Sequence, residues 1–204
     1  ESDRGFAILC TPGGGRIISI VLLAALAWSD GADATQMVGL QRYHHQYFPD
    51  VESAILVLAD EMVATGTEQF ADLVTANSWK GRSGYETAEA LADAVLTFWA
   101  ENQPVLRVVD LATDEGDGRF ANVRTRLLND LNNSLAAAAR DHQKTGKGQA
   151  DVDPNAVAGV LVAMLAHVAA HRLGFEFWGV RTADLRTTMA RIIYWSVTGA
   201  KPPT

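Results

Sequence analysis

Apolar positions recur at helical spacing nearly everywhere after Gly15, and no run alternates strictly enough to predict a strand. A first helix is expected over Arg16 to Trp28, ended by Ser29-Asp30-Gly31, with an irregular stretch over 32–46. Asp50 can cap a second helix that carries Ala54, Ile55, Leu58, Met62 and Val63 on one face and runs on, with a bend at Gly66, towards Val74. "NSWKGRSG", 77–84, reads as a loop. Ser83 and Glu86 have the spacing of a capping box, which would open a helix to about Asn102 with Leu91, Val95, Phe98 and Trp99 buried.

Pro104 suits the first turn of the next helix, and "DEGDG" breaks the chain after it. Phe120 to His142 is a long helix with Val123, Leu127, Leu128, Leu131 and Leu135 spaced for burial. After the polar loop "KTGKGQAD", 144–151, Asp153-Pro154 supplies an N-cap and a first-turn proline for a helix ending near Gly174. Thr182 is placed to cap a last helix, stopped by Gly199 and "KPP". The expectation is an all-α protein of about nine helices.

Composition agrees with a packed chain. Hydrophobic residues make up 48% of the 204 and charged residues 20%, which excludes bulk disorder. The apolar run within "RIISIVLLAALAW", 16–28, faintly mimics a secretory signal but is about half of a membrane span, so it is read as a buried helix with no membrane partner. Cys10 is the single cysteine, so no disulfide framework or thiolate metal site is expected, and a reducing cytoplasm is the simplest location. No phosphate loop or catalytic triad order stands out; neither catalysis nor a cofactor is expected.

The stretch "YFPDVESAILVLADEM", 47–62, resembles the segment of TetR/AcrR-family transcriptional regulators that leaves the helix-turn-helix and enters the long connecting helix. "ETAEALADAVLTFWAENQPVLRVV", 86–109, is similar to that family's fifth and sixth helices, and 153–175 with 182–199 to its last two. The resemblance implies a helix-turn-helix head over 1–50 and a helical ligand-binding and dimerisation body over 51–204. It implies a repressor that binds operator DNA as a homodimer and is released by a small apolar or aromatic ligand. DNA contact would fall to Gln41, Arg42, Tyr43, His44 and Tyr47, since Arg and Gln can read base edges and Tyr and His can bond phosphates.

The resemblance also implies an apolar ligand pocket, to which Phe98, Trp99, Leu106, Met164, Phe175 and Trp178 would contribute, with His167 and His171, which share a helix face at i, i+4. Core packing or a helix–helix interface is the ordinary role of such residues. Adjacent His44 and His45 point apart on a helix, so no metal site is expected. Val157, Leu161 and Val168, with Leu185, Met189, Ile192 and Ile193, would form a two-fold helical seam, helped by the small Ala158, Ala163, Ala166, Ala169 and Ala170.

The head departs from the family pattern. Only "TQMVGLQRYHHQ", 35–46, precedes Tyr47, short for two full helices, and Val51 stands where the family usually places a phosphate-binding lysine. Residues 1–50 carry Arg4, Arg16 and Arg42 against Glu1, Asp3, Asp30, Asp33 and Asp50, a charge of 3 − 5 = −2, which offers little phosphate neutralisation. The alternative is therefore a helical binding and dimerisation module that has lost DNA recognition.

Overall fold

The computed structural model describes residues 51–146, 148 and 150–203. The expected helix over Arg16 to Trp28, the Asp50 cap and the candidate DNA-contacting residues lie outside the described residues. Contacts divide the chain into two units, Glu1–Leu58 and Ala59–Thr204. Of the first, 51–58 are described and are helical.

All regular structure among the described residues is helical, in seven segments: α1 (Val51–Thr75), α2 (Gly81–Glu101), α3 (Gln103–Asp114), α4 (Gly118–Lys144), α5 (Pro154–Ala170), α6 (Arg172–Phe177) and α7 (Thr182–Thr198). In the second unit α2 packs most extensively on α7, and α4 on α5 and α3. A fully buried Phe70 on α1 meets Phe98 edge-on at 5.2 Å and stacks against Trp99 at 6.4 Å between ring centroids. Such aromatic pairs bind by ring geometry as well as by area removed from water.

Several boundaries follow the sequence signals. Asp153 accepts a hydrogen bond from the Asn155 backbone N–H at 2.9 Å, and Pro154 occupies the first turn of α5. Gly199 closes α7 with φ +68°, the left-handed conformation a glycine adopts without side-chain strain.

Others differ. Gly66 does not bend α1, which is one helix from Val51 to Thr75. A Cβ at Gly66 would lie 2.7 Å from both Leu127 and Phe98, so this glycine serves close packing instead. The Ser83–Glu86 capping box is not formed, because α2 has already begun at Gly81 and Lys80 occupies the cap without a side-chain bond. The turn before α2 is tied otherwise: the Trp79 indole donates to the Val74 carbonyl at 3.0 Å, and Thr87 Oγ1 to the Ser78 carbonyl at 3.0 Å. Thr182 does not cap α7 either. Arg181 holds that position, and the Thr182 hydroxyl donates to the Glu176 carboxylate. The helix expected to reach Gly174 stops at Ala170, and α6 is a separate single turn and a half.

Candidate functional site

The break after Ala170 builds the site. His171 leaves helical geometry at φ −104°, ψ 15°, while its backbone N–H still donates to the His167 carbonyl at 3.1 Å. Its ring Nδ1 lies 3.0 Å from that same carbonyl oxygen, which can only accept, so Nδ1 carries the proton. The two imidazoles stack with centroids 4.2 Å apart.

Both histidines line a cavity of about 270 Å³ between α1 to α5, open to solvent beside Asp114, His167 and His171. That is close to the lower end of the ~300–1,000 Å³ usual for small-molecule sites. Its floor is apolar: Met62 from α1, Trp99 from α2, Leu106 and Val109 from α3, Val123 and Leu127 from α4, and Ala166 and Ala170 from α5. Its polar members are Asp110, Asp114 and Arg124 beside the two histidines. Arg124 pairs with Asp110 at 3.2 Å, both half-exposed. A small recess adjoins the cavity and shares Trp99, Leu106, Asp110 and Ala170 with it, adding Arg107 and Arg172.

Of the residues assigned to ligand contact, Trp99, Leu106, His167 and His171 are brought together here. Phe98, one residue from Trp99 and so about 100° around the helix, points into the core against Phe70. Met164 lines a different, shallow groove. Phe175 and Trp178 pair edge-on with each other at 6.0 Å and are not among the cavity-lining residues; Trp178 is 74% exposed.

Asp110, Asp114 and Arg124 were not among the residues assigned from sequence, where "DEGDG", 114–118, reads as a break in the chain. Their signal is the i, i+4 step Leu106–Asp110–Asp114, which continues the buried face of α3 to the cavity rim. Among the described residues no group of three His, Cys, Asp or Glu is placed to hold a metal ion.

The shallow groove lies on α5 and α7 and is lined by Val157, Val160, Leu161, Met164, Ile192 and Ser196 among others. Val160 and Trp195 are 70% and 57% exposed, so this face of the two helices presents large apolar side chains to solvent. Val168 and Leu185 are half-buried, whereas Met189 and Ile193 are buried within the chain.

Fold and cavity together define a helical body with an interior space of small-molecule size. Residues 70–204 match the tetracyclin repressor-like C-terminal domain family, and the chain belongs to the TetR family of regulators. A search of curated proteins gives no match to the chain. No helix among the described residues is long and apolar enough to cross a membrane.

Proposed function

We propose that this TetR-type regulator is a homodimeric repressor whose operator affinity is lowered by a small ligand bound in the cavity. The observation that carries this reading is Met62 in the cavity wall on the same unbroken helix that begins at Val51. Met62 stands eleven residues beyond Val51, about 16 Å along a helix axis at 1.5 Å per residue. A ligand pressing on Met62 would shift α1 and with it the preceding head, whose contacts to DNA are proposed to come from Gln41, Arg42, Tyr43, His44 and Tyr47. Two heads set about one helical turn apart fit successive major grooves, and a change in their separation breaks that fit. The ligand acts only in proportion to its preference for one state. The role proposed is binding and switching, with no chemical step.

The homodimer would be formed by the exposed apolar face of α5 and α7, where Val157, Leu161 and Ile192 line the groove. Self-complementary helix pairs are a common closed solution for such a face.

The test is DNA binding by fluorescence anisotropy across a salt series, using a fragment selected from random sequence. A DNA-binding head gives a steep linear fall of log K with log salt, and Arg42→Ala lowers that slope by about 1. A flat salt dependence, with no fragment enriched, would remove the repressor reading. It would favour the second reading, a dimerisation module without DNA recognition, which the charge of −2 over residues 1–50 and Val51 support.

A further inference from the structure

We infer that the cavity takes a cationic amphiphile, with a protonated amine at the Asp114 rim and an apolar, ring-sized body on the Trp99 floor. This deepens the ligand-responsive reading and rests on it.

The polar groups that line the cavity differ in whether they are already engaged. Asp110 is held by Arg124 at 3.2 Å. Asp114 lies four residues further along α3 and lines the same cavity. Among the described residues its carboxylate has no ion pair and no side-chain hydrogen bond. The Nδ1–H of His171 is spent on the His167 carbonyl, which in the neutral ring leaves Nε2 as an acceptor. Among the described residues, the one charged group at the rim without an opposite partner is thus the Asp114 carboxylate, and a ligand that fills the cavity gains by bringing a cation beside it.

The nearby cations do not reverse this. Arg124 is engaged by Asp110, and Arg172 faces Glu176 at 3.9 Å. Arg107 lines the adjoining recess and not the cavity itself. An anionic ligand would share Arg124 with Asp110 and sit beside the Asp114 carboxylate, with like charges opposed. A protonated amine meets the carboxylate directly in a charge-assisted hydrogen bond. The small volume limits the remainder to about one ring and a short chain, lying against Trp99, Leu106 and Leu127.

The experiment is isothermal titration of the full chain with three probes of one shape and different charge: phenylbutylamine, phenylbutanol and phenylbutyrate. Each is titrated into the natural sequence, Asp114→Asn and Ala170→Phe. The amine should bind ~10-fold tighter than the alcohol, the worth of a bond to a charged acceptor, with the carboxylate weakest. Asp114→Asn should bring the amine level with the alcohol and leave the alcohol unchanged. Ala170→Phe, which fills the cavity, should remove all binding. Equal affinities, or phenylbutyrate tightest, overturn the cationic class while alcohol binding that is lost in Ala170→Phe keeps the cavity as a ligand site. Binding by none of the three overturns both.

Discussion

The imidazole rings of His167 and His171 stack 4.2 Å apart, and one backbone carbonyl, that of His167, accepts from both the main-chain N–H and the ring Nδ1–H of His171. A doubly used carbonyl at the last turn fixes the ring as the helix ends, so the site and the break between α5 and α6 are one feature. His171→Phe keeps an aromatic ring against His167 but loses the ring hydrogen bond and the Nε2 acceptor. Because the position is exposed, thermal stability should change little, while affinity for an amine-bearing probe should fall about 5-fold, the worth of an ordinary hydrogen bond. Unaltered affinity, measured by titration calorimetry, would take His171 out of the recognition set.

Gly66 lets α1 pack closely on α2 and α4. Its missing Cβ leaves the space that Phe98 and Leu127 occupy, each of which would stand 2.7 Å from an added carbon. Alanine gains about 1 kcal/mol of helix propensity over glycine, whereas overpacking a core costs about 1–3 kcal/mol. Leu127 borders the cavity, but the Phe98 ring is buried and held edge-on by Phe70 and Trp99, so the cost wins. Gly66→Ala should lower the urea midpoint with its slope unchanged. A raised midpoint would show that α1 can move away without loss.

The contrast between Gly66 and Gly199 explains how far the sequence could be read. Gly199 ends a helix by a local rule, and Asp153-Pro154 begins one by another; both act within four residues of themselves. Gly66 obeys a rule about two other helices, which periodicity cannot see. The same division runs through the site. Trp99, Leu106, His167 and His171 line one cavity, whereas Phe98 packs on Phe70 and Met164 lines the groove on α5 and α7. Asp114 belonged to the "DEGDG" break in the sequence reading; the continuity of Asp110 and Asp114 with Leu106 shows only once the helix is known to reach Asp114. The S-x-x-E pattern at Ser83 failed because the Trp79 indole and the Thr87 hydroxyl tie the turn first, one residue beyond any local motif.

A pH dependence is expected at the start of α4. Asp117 caps that helix, and its carboxylate is held below its ordinary 3.8, first by the side-chain hydrogen bonds from Arg119 and then by the Arg119 backbone N–H. A carboxyl whose value is lower in the folded chain contributes stability that is present above the unfolded value and lost as pH falls through the folded one. Asp117→Asn keeps an oxygen for the backbone bond but not the charge. The difference in melting temperature between the natural chain and this variant should therefore be constant from neutral pH down to about pH 5 and shrink below pH 4. A difference that grows on acidification would show that the charge at Asp117 does not act through the cap.

The open apolar face of α5 and α7 is suited to a second copy of the chain. Val160 is 70% exposed, Ile192 lines the groove beside it, and Trp195 is 57% exposed, so water covers large apolar side chains on adjacent helices. Contiguous patches of this kind mark protein contacts more often than idle surface. If a second copy covers the face, a charge in its centre must be buried unpaired twice, once from each protomer, and a buried unpaired charge is strongly destabilising to association. Val160→Lys with Ile192→Glu tested separately should each convert a species of twice the 22.0 kDa chain mass to a single chain in sedimentation equilibrium, while far-ultraviolet helicity is retained. Neither residue is buried within the protomer, so folding alone would not report the change. Combining the two in one chain gives the sharper test: opposite charges that face each other across a two-fold axis would restore part of the dimer, whereas charges that never meet would leave the double variant as monomeric as each single one.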